Sequence, residues 1–335
     1  MPAFRSALGA AVLGMAVTAG VGCADGADEK AGAATEIGAT IPMDGTIRRL
    51  AIDPEAHTLY ASDFEGLVWV IDTLTDTVAA KIPVGAGAQG LAIDPEADLL
   101  YTADYQDHTV SVVSTADRKV IATIPVAMYP DLLEVDPVAK TLYVSHFAGK
   151  QISVVDTVSR TVQATVELDD HVGDLAIDPG AHRLYAANFN TAKLTVLDTR
   201  SHTVDSTIDP GGQPEGVTVA PEERRIYVAN DEAPMAVIDA ETRQPVGTVE
   251  VGKNPFRLAA DSAAHAVYVT NNDGKPRVAG GDGGPVVVID TRTNTSIATI
   301  LVGDSPQELV VDPLSHKVYI NVFLAGNVTV LRPAG

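Results

Sequence analysis

The chain has 335 residues, 20% of them charged, a single cysteine and a formal net charge of −21 at pH 7. This length and composition suit a globular protein with a sizeable core and argue against disorder over most of the chain. So acidic a surface repels polyanions and disfavours a general nucleic-acid role, and a lone cysteine excludes an intrachain disulfide framework.

The N-terminus reads as an export signal. Arg5 is the only charge before an apolar run from Ala7 to Val21, which is too short for a comfortable membrane span. A signal peptide is expected over residues 1–22. The string Ala19-Gly20-Val21-Gly22-Cys23 resembles a bacterial lipobox, with Gly20 where that motif usually carries an aliphatic residue. The resemblance implies lipidation of Cys23 and a membrane anchor on the outer face of the cell membrane or in the periplasm. An ordinary cleaved signal is the alternative. Residues 23–35 are small, polar and rich in Gly and Ala, the composition of a flexible tether.

From there a single unit repeats to the end of the chain. Its tyrosine recurs as Tyr60, Tyr101, Tyr143, Tyr185, Tyr227, Tyr268 and Tyr319, at steps of 41, 42, 42, 42, 41 and 51 residues. A unit of this size cannot bury a core alone and must stack on its neighbours. Within the first copy, a short apolar strand (Leu50–Ile52) closes on Asp53-Pro54, whose side chain and fixed φ favour a turn. The tyrosine strand (Thr58–Ser62), a third strand (Leu67–Ile71), an Asp72-Thr73 turn and a fourth strand (Thr77–Val84) follow. No segment carries a sustained helical period. Four short strands repeated seven times predict an all-β fold over residues 36–335: a seven-bladed β-propeller of four-stranded antiparallel blades. The last copy stops at Leu331 without its fourth strand, while residues 36–42 resemble Val120–Pro125 of the second copy. Residues 36–42 are therefore expected to complete blade seven and close the ring.

Tyr268-Val269-Thr270-Asn271 spells YVTN, and Tyr227–Asn230 and Tyr185–Asn188 are near copies. On these residues the chain resembles the YVTN-repeat (YncE-like) β-propeller family of bacteria and archaea over residues 36–332. The resemblance implies a propeller of a family that hosts binding, surface and nucleic-acid-binding roles; many of its members are exported.

Propeller geometry sorts the polar residues by face. His57, His182, His202, His265 and His316 fall in the first-to-second or third-to-fourth turns, where a solvated role is expected. His108, His146 and His171 fall on the opposite face, at the mouth. Three residues after the tyrosine stand Asp63, Asp104, His146, Asn188, Asn230, Asn271 and Val322. The next position holds Phe64, Tyr105, Phe147, Phe189, Asp231, Asn272 and Phe323. These columns offer either a ring of stacking and hydrogen-bonding groups around a ligand or caps that hold each loop. Just before each first strand comes a pair that departs from the repeat: Arg48-Arg49, Gln89-Gly90, Asp131-Leu132, Gly173-Asp174, Glu215-Gly216, Phe256-Arg257 and Gln307-Glu308. Arg48, Arg49 and Arg257 suit carboxylates or phosphates, or pair internally with Glu308, Glu215 or Asp174. A Gly-rich insertion, residues 272–284, is expected to overhang the same mouth as a mobile loop.

The candidate ligand-binding residues are Arg48, Arg49, Asp104, Tyr105, Asp131, His146, Phe147, Asn188, Phe189 and Arg257. No catalytic residue, metal ligand set or cofactor is assigned, and the favoured reading is a non-catalytic, monomeric binding propeller whose partner is a protein, a glycan or a small anion. Trp69 is expected to fill space between blades or on an outer strand. The absence of a G-x-S-x-G string and of a mature catalytic thiol weighs against an enzyme. The alternatives are a metal-dependent hydrolase or lyase of the lactonase type, built on Asp104, Asp131, His146, His171 and Asp174, and a binder of single-stranded nucleic acid through a locally basic, aromatic mouth.

Overall fold

The computed structural model describes residues 32–147, 149–271 and 284–334. The expected signal, Cys23, most of the tether and the insertion at residues 272–283 lie outside the described residues.

The described chain forms seven four-stranded antiparallel sheets arranged as a β-propeller. Blade one is built from β2 (Ile47–Asp53), β3 (Thr58–Asp63), β4 (Leu67–Asp72) and β5 (Thr77–Pro83). Blades two to six follow the same order. In blade seven, strands Pro306–Val311, Val318–Val322 and Asn327–Pro333 are joined by β1 (Ala34–Pro42), which pairs antiparallel to Asn327–Pro333 from Ala34 to Pro42. The ring closes through the N-terminal strand, as expected, and that strand starts two residues earlier than its sequence suggested.

The sequence explains why the blades stack. Within each blade the second and third strands are buried on both sides, reading as near-continuous apolar runs such as Leu59–Ala61 and Val68–Ile71, while the outermost strand is largely exposed. Seven apolar clusters result, and most join neighbouring blades. Ile41 of the closing strand and Met43 just after it pack with Ile47, Leu50, Leu59, Trp69 and Ile71 of blade one and with Tyr319, Val328 and Val330 of blade seven.

The repeat tyrosines are buried at every copy. Four of their hydroxyls bond to the next blade. Tyr143 donates to the Thr199 carbonyl (3.2 Å), Tyr227 to Asn294 Oδ1 (3.2 Å) and Tyr319 to Asp76 Oδ1 (3.1 Å). The Tyr268 hydroxyl accepts from the Ala34 amide of the closing strand (2.6 Å). Four repeats thus staple themselves to the next blade, whereas the buried hydroxyls of Tyr101 and Tyr185 have no partner among the described residues.

The turn punctuation behaves as its chemistry requires. Asp53, Asp94, Asp136, Asp178, Asp261 and Asp312 accept backbone amides two or three residues on. Two turn histidines differ from the solvated role expected of them. His316 Nδ1 lies 2.8 Å from Asp261 Oδ2 and His265 Nδ1 lies 3.2 Å from Glu223 Oε1, both bridging to the preceding blade. All five turn histidines share a left-handed backbone, so what sets these two apart is the carboxylate that the preceding blade presents, Asp261 or Glu223.

Candidate functional site at the mouth and central cavity

The innermost strands meet around the axis and enclose a cavity of about 280 Å³, lined by residues of all seven blades. The charged residues that reach it are Arg49, Glu134, Asp174, Arg257 and Glu308. The paired residues expected just ahead of each first strand lie within it instead, except Gly173 of blade four, because most of these strands begin earlier, for example at Ile47, Ala88, Pro130 and Pro255. In these four blades the pair sits on a register shift between the first and second strands. A bulge re-aims side chains. Here the freed amides of Arg49, Leu132 and Arg257 are taken up by the hydroxyls of Ser62, Ser145 and Thr270, each at 3.0 Å. Where the column reads Gly90 or Gly216, a Cβ would collide with the carbonyl of Asp131 or Phe256 on the next blade, so only glycine lets the bulged backbones approach.

The two inward arginines are engaged by the protein. Arg49 pairs with Glu308. Arg257 donates to the carbonyls of Glu215 and Gly173, the latter at 2.9 Å, and its Nε lies 3.7 Å from Asp174 Oδ1 and 3.9 Å from Glu308 Oε2. Asp174 Oδ2 accepts the Val217 amide at 3.0 Å. Burial pushes the Asp174 carboxyl upward, opposed by Arg257 and Arg49. Asp131 is likewise raised by burial and opposed by Arg49, Arg257 and Arg48.

Arg48 points the other way, to the mouth. Its guanidinium lies 4.8 Å from the centre of the Phe64 ring and 5.6 Å from that of Phe323, so blades seven and one grip it through cation–π contacts. Phe64 begins an arc of rings along the rim. Tyr105 lies 6.2 Å from Phe64, 4.9 Å from Tyr129 and 6.0 Å from Phe147, and Tyr129 meets the His108 ring edge-on at 4.9 Å. Phe147 is 59% exposed. Tyr129 is held at φ 56°, a left-handed conformation that a bulky residue adopts only under constraint. The equivalent position before the first strand of blades two, six and seven is also left-handed, occupied by Gly87, Asn254 and Ser305. The fold asks for a small or amide residue there, and blade three places a tyrosine.

Asp104, His146 and Asn188 face into their own blades. Asp104 accepts from the hydroxyls of Thr102 (2.7 Å), Thr109 (2.9 Å) and Ser111 (2.7 Å). His146 Nδ1 donates to the Met128 carbonyl (3.2 Å), which leaves Nε2 to accept from Ser153 (2.9 Å). Burial lowers the His146 pKa, consistent with that neutral tautomer. Asn188 donates to the His171 carbonyl and accepts from Thr195 (2.6 Å). Trp69 follows the same rule: 3% exposed, it donates from Nε1 to Asp63 Oδ2 (3.1 Å) and lies beneath the Lys81 ammonium. In these four blades the polar column at the end of the second strand is thus the hydrogen-bond partner of the column in the third strand that holds Trp69, Ser111, Ser153 and Thr195. Phe189 is half-buried at the start of the blade-four loop. His171 pairs with Asp170 (3.2 Å). Among the described residues, no three of Asp104, Asp131, His146, His171 and Asp174 come together as a metal-ligating group.

One residue of the cavity has no place in the sequence reading. Glu134 stands where the other copies carry Ala51, Ala92, Ala176, Thr218, Ala259 and Val310. Laying out that column would have exposed it, as a single carboxyl among small side chains.

No protein-family model matches the chain, and no curated protein matches it. Among solved structures, hydrazine synthase of Kuenenia stuttgartiensis is similar, with a TM-score of 0.74 over 89% of this chain and 98% of that one, at 18% identity. A likeness at that identity concerns the fold alone. Together with the seven closed sheets, it makes the chain a seven-bladed β-propeller.

Proposed function

We infer that the protein is an exported, non-catalytic binding propeller of the YVTN-repeat kind, tethered through Cys23, that takes a surface glycan on its mouth face. The observation that carries this reading is the rim arc of Phe64, Tyr105, Tyr129 and Phe147 beside Arg48. Rigid aromatic rings present large contact area at low entropic cost, and the left-handed Tyr129 is the sort of local strain that clusters at ligand sites. Flat apolar sugar faces stack on such rings, and an uncharged glycan escapes the repulsion that the acidic surface imposes on polyanions. A small anion is less well served, since Arg49 and Arg257 already hold internal partners.

The test has two arms. Purified protein is passed over insoluble cellulose, chitin and peptidoglycan, alone and as the Tyr105→Ala/Phe147→Ala double variant. Retention of the wild type that drops at least tenfold in the double variant is expected; equal retention of both, or none on any support, refutes the glycan reading. Separately, Cys23→Ser should move the protein from the membrane fraction to the soluble exported fraction, and an unchanged distribution refutes the lipid tether.

A further inference from the structure

We propose that the central cavity is a binding site for a small primary ammonium ion, with Glu134 as the group that takes its charge. This site lies among the innermost strands and stands independently of whatever the rim binds.

Arg49 is paired with Glu308, Arg257 is fixed by two backbone carbonyls and flanked by Asp174 and Glu308, and Asp174 holds the Val217 amide. Glu134 alone has neither a hydrogen bond nor an ion pair to its side chain among the described residues. The strand does not need it, because Ala, Thr or Val builds the same strand at the same place in the other six blades. Three carboxylates (Glu134, Asp174, Glu308) face two guanidiniums (Arg49, Arg257), so full ionisation leaves one uncompensated negative charge.

Glu134 is half-buried on the cavity wall, and a carboxylate withdrawn from bulk water without a partner tends to take a proton instead. Burial, then Asp174 and Glu308, push Glu134 up to about 8 against the pull of Arg49. The blade-two and blade-five strands contribute no charge to the lining. A monovalent cation with several N–H donors would supply what is missing: charge for Glu134 and hydrogen bonds for its oxygens and those of Asp174. An anion would instead have to displace Glu308 from Arg49. The volume of about 280 Å³ fits a short-chain amine and excludes a polymer.

Binding then converts Glu134 from acid to carboxylate and releases one proton. Affinity should therefore fall about tenfold for each pH unit below about 8 and level off above it. The experiment is calorimetric titration of the protein with ethylammonium chloride at about pH 8.5 and about pH 7, in buffers of different ionisation heat. Sodium chloride and sodium acetate serve as parallel titrants. The expected result is binding of ethylammonium with release of close to one proton at the lower pH, a loss of at least tenfold in affinity in Glu134→Gln, and no comparable heat with sodium or acetate. Glu134→Ala, which copies the residue of four other blades, guards against a folding artefact, and its thermal transition is measured alongside. Absence of ethylammonium binding at the higher pH, binding by the variants as tight as that of the wild type, or preference for acetate or sodium would overturn the proposal.

Discussion

Closure of the ring through β1 is most sharply tested at Ile41. On one strand, Ile41 is 2% exposed within the cluster that joins blades seven and one, whereas Ile37 is 49% exposed. Ile41→Ala removes three carbons from that junction, about 2.4 kcal/mol of transfer free energy at ~0.8 kcal/mol each. A residual cavity adds ~1 kcal/mol, because Ile47, Leu59 and Trp69 on the facing blade belong to rigid strands that collapse only partly. The expected loss is about 3–4 kcal/mol. For a propeller of roughly 300 residues the unfolding entropy is ~0.6 kcal/mol per kelvin, so Tm should fall by about 5–6 °C. Ile37→Ala should shift it by less than about 1 °C. Thermal unfolding followed by circular dichroism reads both. If Ile41→Ala costs no more than Ile37→Ala, the N-terminal strand does not fasten the ring and the closure argument fails.

The inter-blade staples make a paired prediction. Tyr268→Phe strands the buried Ala34 amide and should cost about 1–3 kcal/mol, whereas Tyr185→Phe removes a buried hydroxyl that has no partner among the described residues and should be neutral or stabilising in denaturant melts. Acid stability rests partly on the third-to-fourth turns. The Arg292 guanidinium and turn amides hold Asp290 down to about 2, and the Ser201 and Arg200 amides with Arg183 do the same for Asp198. Because the folded values lie below the unfolded value of about 3.9, this stabilisation is present above about pH 4 and is lost as pH falls toward about 2. Asp290→Asn should therefore lower Tm at pH 7 by an amount equivalent to ~1 kcal/mol after solvent screening. That gap should close in melts near about pH 2, and a gap that persists there would show that the carboxylate charge is not the cause.

The fold was legible because a propeller is written seven times. One copy of Leu50–Gly85 leaves a strand or a turn ambiguous, but seven copies of Asp-Pro, Tyr and Asp-Thr at a fixed period admit few architectures. The missing strand of blade seven and the surplus strand at Ala34–Pro42 are complementary absences, so closure was legible too. Two features were not. The first strands extend past Leu50 to Ile47 because the bulge keeps the backbone paired beyond the apolar run that marks the strand in sequence. His265 and His316 reach the preceding blade because Glu223 and Asp261 stand opposite them there, a pairing across blades that a single repeat does not display.

The site divides along the same line. Columns that repeat with the fold serve it: Asp104, His146 and Asn188 are matched by Ser111, Ser153 and Thr195 across their hairpins, a pairing visible only once two columns are set side by side in space. In sequence the column admitted both a ring around a ligand and caps that hold each loop, and a recurring residue is what a repeated backbone need produces. The opposite holds for residues that break their column at a cost. Tyr129 occupies a left-handed position filled elsewhere by Gly, Asn or Ser, and Glu134 puts a carboxyl where Ala, Thr or Val suffices. In a repeat protein six other blades serve as internal controls for the seventh, so a departure that destabilises its own blade has no structural reason to persist. Tyr129 on the rim and Glu134 in the cavity are two such departures among the described residues, each at a position where the other blades use a residue better suited to the backbone or the strand.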